Sequence, residues 1–196
     1  MKRILFVCTG NTCRSPMAEA IMRDRAASRS ISLEIRSAGV STVDGLPISA
    51  HAAETLKRKR VAHEGVSRAL GKPSVEWADL ILTMTSAHKR SLIARFPEAL
   101  EKTHTLMEYT ALNANTAADL EELERLYTEW QMKQALGQQM AAAERTRMLE
   151  LEKRIPNFDV ADPFGGPLPV YESCAAEIEA AVDKLLDKLG EAGDGR

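Results

Sequence analysis

The sequence predicts an α/β fold, a four-stranded parallel sheet with helices on both faces and an added helical segment. Three observations carry this. Short β-rich apolar runs alternate with longer helical patterns along most of the 196 residues, the alternation of parallel βαβ units. The first such run, Arg3–Val7, ends in apolar residues without polar alternation, as strands covered on both sides do. Apolar residues make up 44 % and charged residues 28 % of the chain, enough for one domain with a full core.

The elements follow in order. Arg3–Val7 is the first strand and runs into a Gly-containing turn. Ser15-Pro16 with Glu19 starts a helix, since the fixed φ of proline suits a first turn, and this helix extends to about Ser28. Leu33–Ser37 is the second strand, Ala38–Pro47 is turn-rich, and Ser49–Lys59 is helical. Ala78–Met84 is the third strand, Ser86–Phe96 a helix stopped by Pro97, and Thr103–Met107 a short fourth strand. Val170–Leu189 closes the domain as an amphipathic helix.

A helical insertion interrupts this scheme at about 114–155. From Thr116 to Arg154 the chain has no proline and a single glycine, Gly137, so it reads as one long helix or as a hairpin broken near that glycine. Leu120, Leu123, Leu126, Trp130, Met140, Met148, Leu149 and Leu151 recur at helical spacing on a charged background. The segment is either a solvated amphipathic cover or an arm for substrate docking or dimerisation. A single domain is expected over 1–190, with a polar tail at 191–196.

Net charge is −2, from 26 basic and 28 acidic residues, which points away from nucleic acid or a membrane surface as the main partner. No apolar stretch approaches the roughly 18 residues of a membrane span, and the opening run is too short for a signal peptide, so the chain reads as cytosolic. Cys8, Cys13 and Cys174 are then not a disulfide framework, and they lack the paired spacing and clustered histidines of a zinc site. Cys174 reads as a small buried hydrophobe. His51, His88 and His104 read as structural or exposed, with His88 opening a solvated His-Lys-Arg helix face. Trp77 and Phe96 read as core.

The stretch Val7-Cys8-Thr9-Gly10-Asn11-Thr12-Cys13-Arg14-Ser15-Pro16 places a cysteine and an arginine at the two ends of a loop between strand and helix. Backbone N–H groups of such a loop, with the helix dipole, make an anion cradle. Gly10 and Asn11 tolerate the unusual backbone angles a nest needs. Cys8 sits where oriented N–H groups stabilise a thiolate. Arg14 offers a planar fork for two phosphoryl oxygens, and Ser15 can donate to the sulfur.

From Phe6 to Glu19 the sequence resembles the phosphate loop of the low-molecular-weight protein-tyrosine phosphatases. The resemblance continues at Ser37-Ala-Gly39, Asp79–Met84 and Asp162-Pro-Phe-Gly165, and so covers most of the chain outside about 114–155. It implies a Rossmann-like three-layer αβα arrangement of the four-stranded sheet, no cofactor, and a cysteinyl-phosphate intermediate. Thr9, Gly10, Asn11, Thr12, Cys13, Arg14 and Ser15 would bind phosphate, with Asn11, Ser15 and Ser37 in a supporting network. His63 stands near the position of a network histidine, at a different local spacing.

Thiolate attack on a phosphate ester requires a proton for the leaving group. Asp162, before Pro163 in a Gly- and Pro-rich loop, is the candidate acid, and would act as base in the second step. Thr12 bears on substrate class. Most of the family carry a bulky aliphatic residue there, whereas the subgroup that resembles bacterial protein-arginine phosphatases carries threonine, whose hydroxyl can orient water or bond a guanidinium. Phe164-Gly165-Gly166 replaces the paired tyrosines of animal members, which agrees with a non-aryl substrate. The expected substrates are therefore phosphorylated proteins, bearing phosphoarginine in the first instance and phosphotyrosine in the alternative, with inorganic phosphate as product. Cys13 is either a core filler or a resolving partner for oxidised Cys8. An arsenate reductase would need further cysteines within Met84–Lys89, which has none. A phosphocarrier would not need Asp162.

Overall fold

The computed structural model describes residues 2–111 and 113–191. Of the tail expected at 191–196, Glu191 ends the last helix and the rest lies outside the described residues. The chain divides into two units, residues 1–111 with 158–196, and residues 112–157.

In the first unit, β1 (Lys2–Cys8), β2 (Leu33–Gly39), β3 (Leu80–Thr83) and β4 (Thr103–Thr105) form one parallel sheet in the order β2-β1-β3-β4. Parallel neighbours require crossovers over a face of the sheet. Helices α1 (Arg14–Ser28), α2 (Ala50–Arg58), α3 (Lys72–Trp77), α4 (Ser86–Arg95), α5 (Leu106–Ala111) and, after α6 (Ala114–Ala135) and α7 (Ala142–Arg154) of the second unit, α8 (Leu168–Glu191) complete the described elements, with a 3-10 turn at Pro97–Lys102.

β1 is apolar from Ile4 to Val7 because both of its faces are covered. Ile4, Phe6 and Cys8 pack with Met17, Ile21 and Leu186 of α1 and α8. Leu5 and Val7 pack with Val75 of α3 and Leu92 of α4. The pleat thus feeds two separate cores, and the unit is a three-layer αβα sandwich. Burying Phe6 alone is worth about 1.5–3 kcal/mol. The chain leaves β1 toward β2 on one side, while β3 and β4 lie on the other. This reversal of order opens a crevice at the carboxyl ends of β1 and β3.

Several elements differ from the expected bounds. The fourth strand stops at Thr105, because Leu106 and Met107 already belong to α5. A reciprocal cap makes the switch: Glu108 N donates to Thr105 Oγ1 (3.1 Å) and Thr105 N to the Glu108 carboxylate (3.3 Å). Short α3, not expected from the sequence, is capped by Gly71, with Pro73 in its first turn. The third strand is ordered only over Leu80–Thr83, and Phe96 leaves the helical conformation ahead of Pro97.

In the second unit, the hairpin, one of the two expected forms of the insertion, is the one observed, as α6 and α7. Gly137 takes φ +68°, the left-handed region that glycine enters without strain, and the chain reverses there. The helices run antiparallel, with Lys133 paired to Glu144 and Arg147 to Glu122. Leu126, Met140, Met148 and Leu151 close a small core of their own, whereas Leu149 is exposed.

Candidate active site

β1 delivers Cys8 at its carboxyl end, 3 % exposed, and α1 begins at Arg14. The connecting loop turns through Asn11 at φ +52°, a conformation asparagine tolerates. Asn11 N donates toward Cys8 Sγ at 3.3 Å, and Ser15 Oγ lies 2.9 Å from the same sulfur. The sulfur therefore sits at the amino end of α1, where the dipole and free N–H groups favour negative charge.

Asn11 uses its whole amide. Its Oδ1 accepts from Arg68 N (2.8 Å), so Nδ2 is the atom facing Ser15 Oγ (2.9 Å) and Ser37 Oγ (2.8 Å). Both hydroxyl oxygens accept from Nδ2 and point their own protons elsewhere. The Ser15 proton has Cys8 Sγ at 2.9 Å as its nearer acceptor and Ala38 O at 3.5 Å as the farther one, and Ser37 donates to Glu19 Oε2 at 2.5 Å. Asn11, Ser15 and Ser37 thus come together with Glu19 and Arg68, two members the sequence reading did not assign. Glu19 stood out there only as the acidic residue of a helix start. His63 lines a small cavity beside Asn11, Glu19 and Ser37, and burial holds its imidazole below the ordinary histidine value.

The end of β2 lies directly against the loop. Val40 N donates to Cys8 O (2.9 Å) and Ser41 N to Thr9 O (3.0 Å). A Cβ on Gly39 would stand 2.6 Å from Thr9 O and 3.1 Å from Asn11 N, so the position has no room for a side chain.

Arg14 is buried. Its Nη1 donates to Val160 O (3.1 Å) and its Nη2 pairs with Asp162 Oδ2 (2.8 Å). The other Asp162 oxygen accepts from Phe164 N (3.2 Å), and Gly165 at φ +77° completes the turn. This segment is tied to the β3–α4 junction, where Val160 N donates to Met84 O (2.8 Å) and Ser86 N to Asp159 Oδ1 (2.7 Å). Cys8, Thr9, Gly10, Thr12, Cys13, Arg14, Asp162 and Phe164 line one cavity of about 250 Å³. Asn11 and Ser15 are buried and support the loop from outside this lining. Phe164 is 77 % exposed and forms an edge of the cavity. A larger open cleft, about 590 Å³, lies beside Ser37 and Arg68 and is lined by no cysteine or histidine.

His88 is not on a solvated face. It is 6 % exposed, with Nε2 2.8 Å from Thr9 Oγ1 and Nδ1 2.9 Å from Thr85 Oγ1. Burial, and then the Arg14 charge, push its imidazole down to about 4. The signal for this was the spacing Thr85-Ser-Ala-His88, a helix cap whose third residue turns back toward the loop. Cys13 is buried, with Ser49 Oγ at 3.4 Å and the Tyr171 hydroxyl at 3.6 Å from its sulfur. Burial, followed by the contact with Cys13, raises the Tyr171 phenol. Cys174, buried in α8, has its thiol pushed up to about 12 by burial, and its Sγ donates to Ala161 O (3.6 Å). All three cysteines are free. His51 Nδ1 donates to Gly166 O (3.2 Å), and His104 is partly buried beside Tyr109. Among the described residues no helix is long and apolar enough to cross a membrane.

The family described as low molecular weight phosphotyrosine protein phosphatase matches residues 3–131. The chain is 35 % identical over 187 residues to the protein-arginine-phosphatase of Geobacillus stearothermophilus, covering 95 % of each chain. It is 39 % identical over 190 residues to the probable low molecular weight protein-tyrosine-phosphatase EpsP of Ralstonia solanacearum, covering 96 % of this chain and 97 % of that one. Among solved structures, a YwlE arginine phosphatase in which serine replaces cysteine, with that active-site serine phosphorylated, superimposes with a TM-score of 0.72 at 31 % identity, over 96 % of this chain and 95 % of the other.

Proposed function

The chain belongs to the low molecular weight phosphotyrosine protein phosphatase family, and from that premise we propose that it hydrolyses phosphoarginine in proteins through a cysteinyl-phosphate. In the first step the Cys8 thiolate attacks phosphorus, the P–N bond breaks, and Asp162 gives a proton to the departing guanidinium nitrogen. N–H groups of the loop and of Arg14 neutralise the phosphoryl oxygens as charge spreads over them. In the second step Asp162 takes a proton from water as the water oxygen attacks phosphorus. The P–S bond breaks, inorganic phosphate leaves, and the Ser15 proton steadies the sulfur. The phosphorylated serine of the related structure supports a covalent intermediate at the nucleophile's position.

The observation that carries the reading is that Cys8, Arg14 and Asp162 line one cavity together with Thr12, a hydroxyl-bearing residue in place of an aliphatic one. A hydroxyl there can hold water or a polar guanidinium, and the Asp162 carboxylate can pair with that cation. A second reading, a protein-tyrosine phosphatase, is favoured by the similarity to EpsP. The free cysteines agree with a reducing compartment, and we place the enzyme in the cytosol. We read α6 and α7 as an insertion into a single phosphatase domain.

Turnover of phosphoarginine, phosphotyrosine and phosphoserine peptides by the wild type and by Thr12→Ile tests the assignment. The wild type should prefer phosphoarginine. The variant should lose roughly tenfold on it, the scale of one good hydrogen bond, and gain on phosphotyrosine. A wild type that prefers phosphotyrosine sinks the arginine assignment and leaves the second reading standing.

A further inference from the structure

His88 belongs neither to the nucleophile nor to the acid, yet its ring touches the phosphate loop. It lies in the first turn of α4, at the crevice where the strand order reverses, and bridges Thr85 Oγ1 and Thr9 Oγ1 at 2.9 Å and 2.8 Å. Thr85 Oγ1 accepts from His88 N (3.2 Å), capping the helix, and its own proton then has Nδ1 as its acceptor. With Nδ1 accepting, a neutral ring carries its hydrogen on Nε2 and donates to Thr9 Oγ1. The Thr9 oxygen, already an acceptor, keeps its proton for the cavity that Thr9 lines. The opposite tautomer would crowd two N–H groups onto Thr85 Oγ1 and turn the Thr9 proton toward the ring, away from the cavity.

We propose that His88 is a positioning residue that makes the Thr9 hydroxyl a hydrogen-bond donor to the bound phosphoryl group. This rests on the phosphatase reading of the cavity and adds a side-chain donor to the cradle of backbone N–H groups. The charged groups facing the ring are Arg14, Asp159 and Asp162. Burial first, and then the Arg14 guanidinium, disfavour a second cation against the pull of the two carboxylates, which keeps the ring neutral and able to accept at one nitrogen while donating from the other. His88 acts through Thr9 alone, so the two side chains are thermodynamically one unit.

The experiment measures para-nitrophenyl phosphate turnover and competitive inhibition by inorganic phosphate in the wild type, Thr9→Val, His88→Leu, His88→Gln and the double variant Thr9→Val/His88→Leu. Thr9→Val and His88→Leu should each weaken phosphate binding by about 3- to 10-fold, the worth of one hydrogen bond. The double variant should be no weaker than Thr9→Val, because the second change removes nothing more. His88→Gln, whose amide reaches the Nε2 position, should stay within about threefold of the wild type. A His88→Leu loss that persists in full on the Thr9→Val background overturns the proposal, as does an unchanged phosphate inhibition constant in His88→Leu. If His88→Leu does not fold, His88→Asn replaces it, since its shorter amide can meet Thr85 but not Thr9. A wild type without turnover, indistinguishable from Cys8→Ser, would overturn the phosphatase reading itself and this proposal with it.

Discussion

Replacing Gly39 by alanine tests how closely β2 is set against the phosphate loop. The new Cβ would meet Thr9 O at 2.6 Å, Thr42 Cγ2 at 2.8 Å and Asn11 N at 3.1 Å. The Thr42 methyl sits at the end of a side chain and can move. Thr9 O cannot turn aside, because it accepts from Ser41 N at 3.0 Å. Carbon–oxygen contacts in proteins settle near 3.3–3.6 Å, so strand and loop must part by roughly 0.7 Å or more. Overpacking on this scale costs about 1–3 kcal/mol, which at about 2–4 °C per kcal/mol lowers Tm by roughly 2–12 °C. The same shift carries Asn11 N, which lies 3.3 Å from the nucleophile sulfur. Since a displacement of about 1 Å can cost 10²-fold in rate, kcat/KM should fall by roughly 10- to 100-fold. Steady-state hydrolysis of para-nitrophenyl phosphate and a thermal melt read both effects. A G39A protein that keeps more than half of the wild-type kcat/KM with an unchanged Tm would show that the loop is not held by this contact.

Asn11→Ala removes the acceptor of Arg68 N and the donor to Ser15 and Ser37, and puts alanine at φ +52°; it should destabilise by about 2–4 kcal/mol in urea unfolding and lower kcat. Asp162→Asn should reduce kcat by about 10²–10⁴-fold, measured on a phosphorylated peptide with a poor leaving group, and a smaller loss there would remove Asp162 from the acid role. The His88 imidazole, pushed down to about 4, is neutral in the folded protein at pH values where an unfolded chain's would take a proton. The unfolded state therefore binds the extra proton between pH 6.5 and about 4. The stability contributed by the neutral buried ring is complete above that window and lost as the pH falls through it, about 3 kcal/mol in all. Urea midpoints across this range should show a steeper acid loss for the wild type than for His88→Gln, and parallel curves would contradict the neutral buried ring.

Much of this fold was legible because buried parallel strands leave a plain mark. Ile4 to Val7 are apolar at each position since each face meets its own core, and the loop that follows carries its chemistry within one contiguous stretch. The cap formed by Thr105 and Glu108 was also present as a Thr-x-x-Glu signature, although β-rich composition led the strand reading two residues too far. Helix α3 spans only Lys72–Trp77, too few residues to show a period. His88, Glu19 and Gly39 were illegible for a different reason. Each acts on a residue distant in the chain, and His88 touches Thr9 only because β1 and β3 are neighbours in the sheet. A polar His-Lys-Arg run looks the same whether its first residue faces water or a phosphate cradle. Gly137 could mark where a helix breaks, but not that the two halves would close a core around Leu126 and Leu151.

The side-chain amide of Asn11 has a direction, and that direction is held by one backbone N–H, that of Arg68. Every hydrogen between Glu19 and Cys8 is ordered by it: the carboxylate draws the Ser37 proton, the amide supplies both serines, and the Ser15 proton is left for the sulfur. Carboxylate oxygens in place of that amide nitrogen would reverse the order. Aspartate at position 11 has no hydrogen to give, so Ser15 and Ser37 would both turn their protons toward it, and Cys8 would face an added negative charge without its hydroxyl donor. Chemical ageing makes a change of this kind without any mutation, because deamidation converts asparagine to aspartate or isoaspartate, neither of which keeps the amide hydrogens. A preparation that loses activity on storage while its thiols stay titratable should therefore be examined at Asn11 by mass.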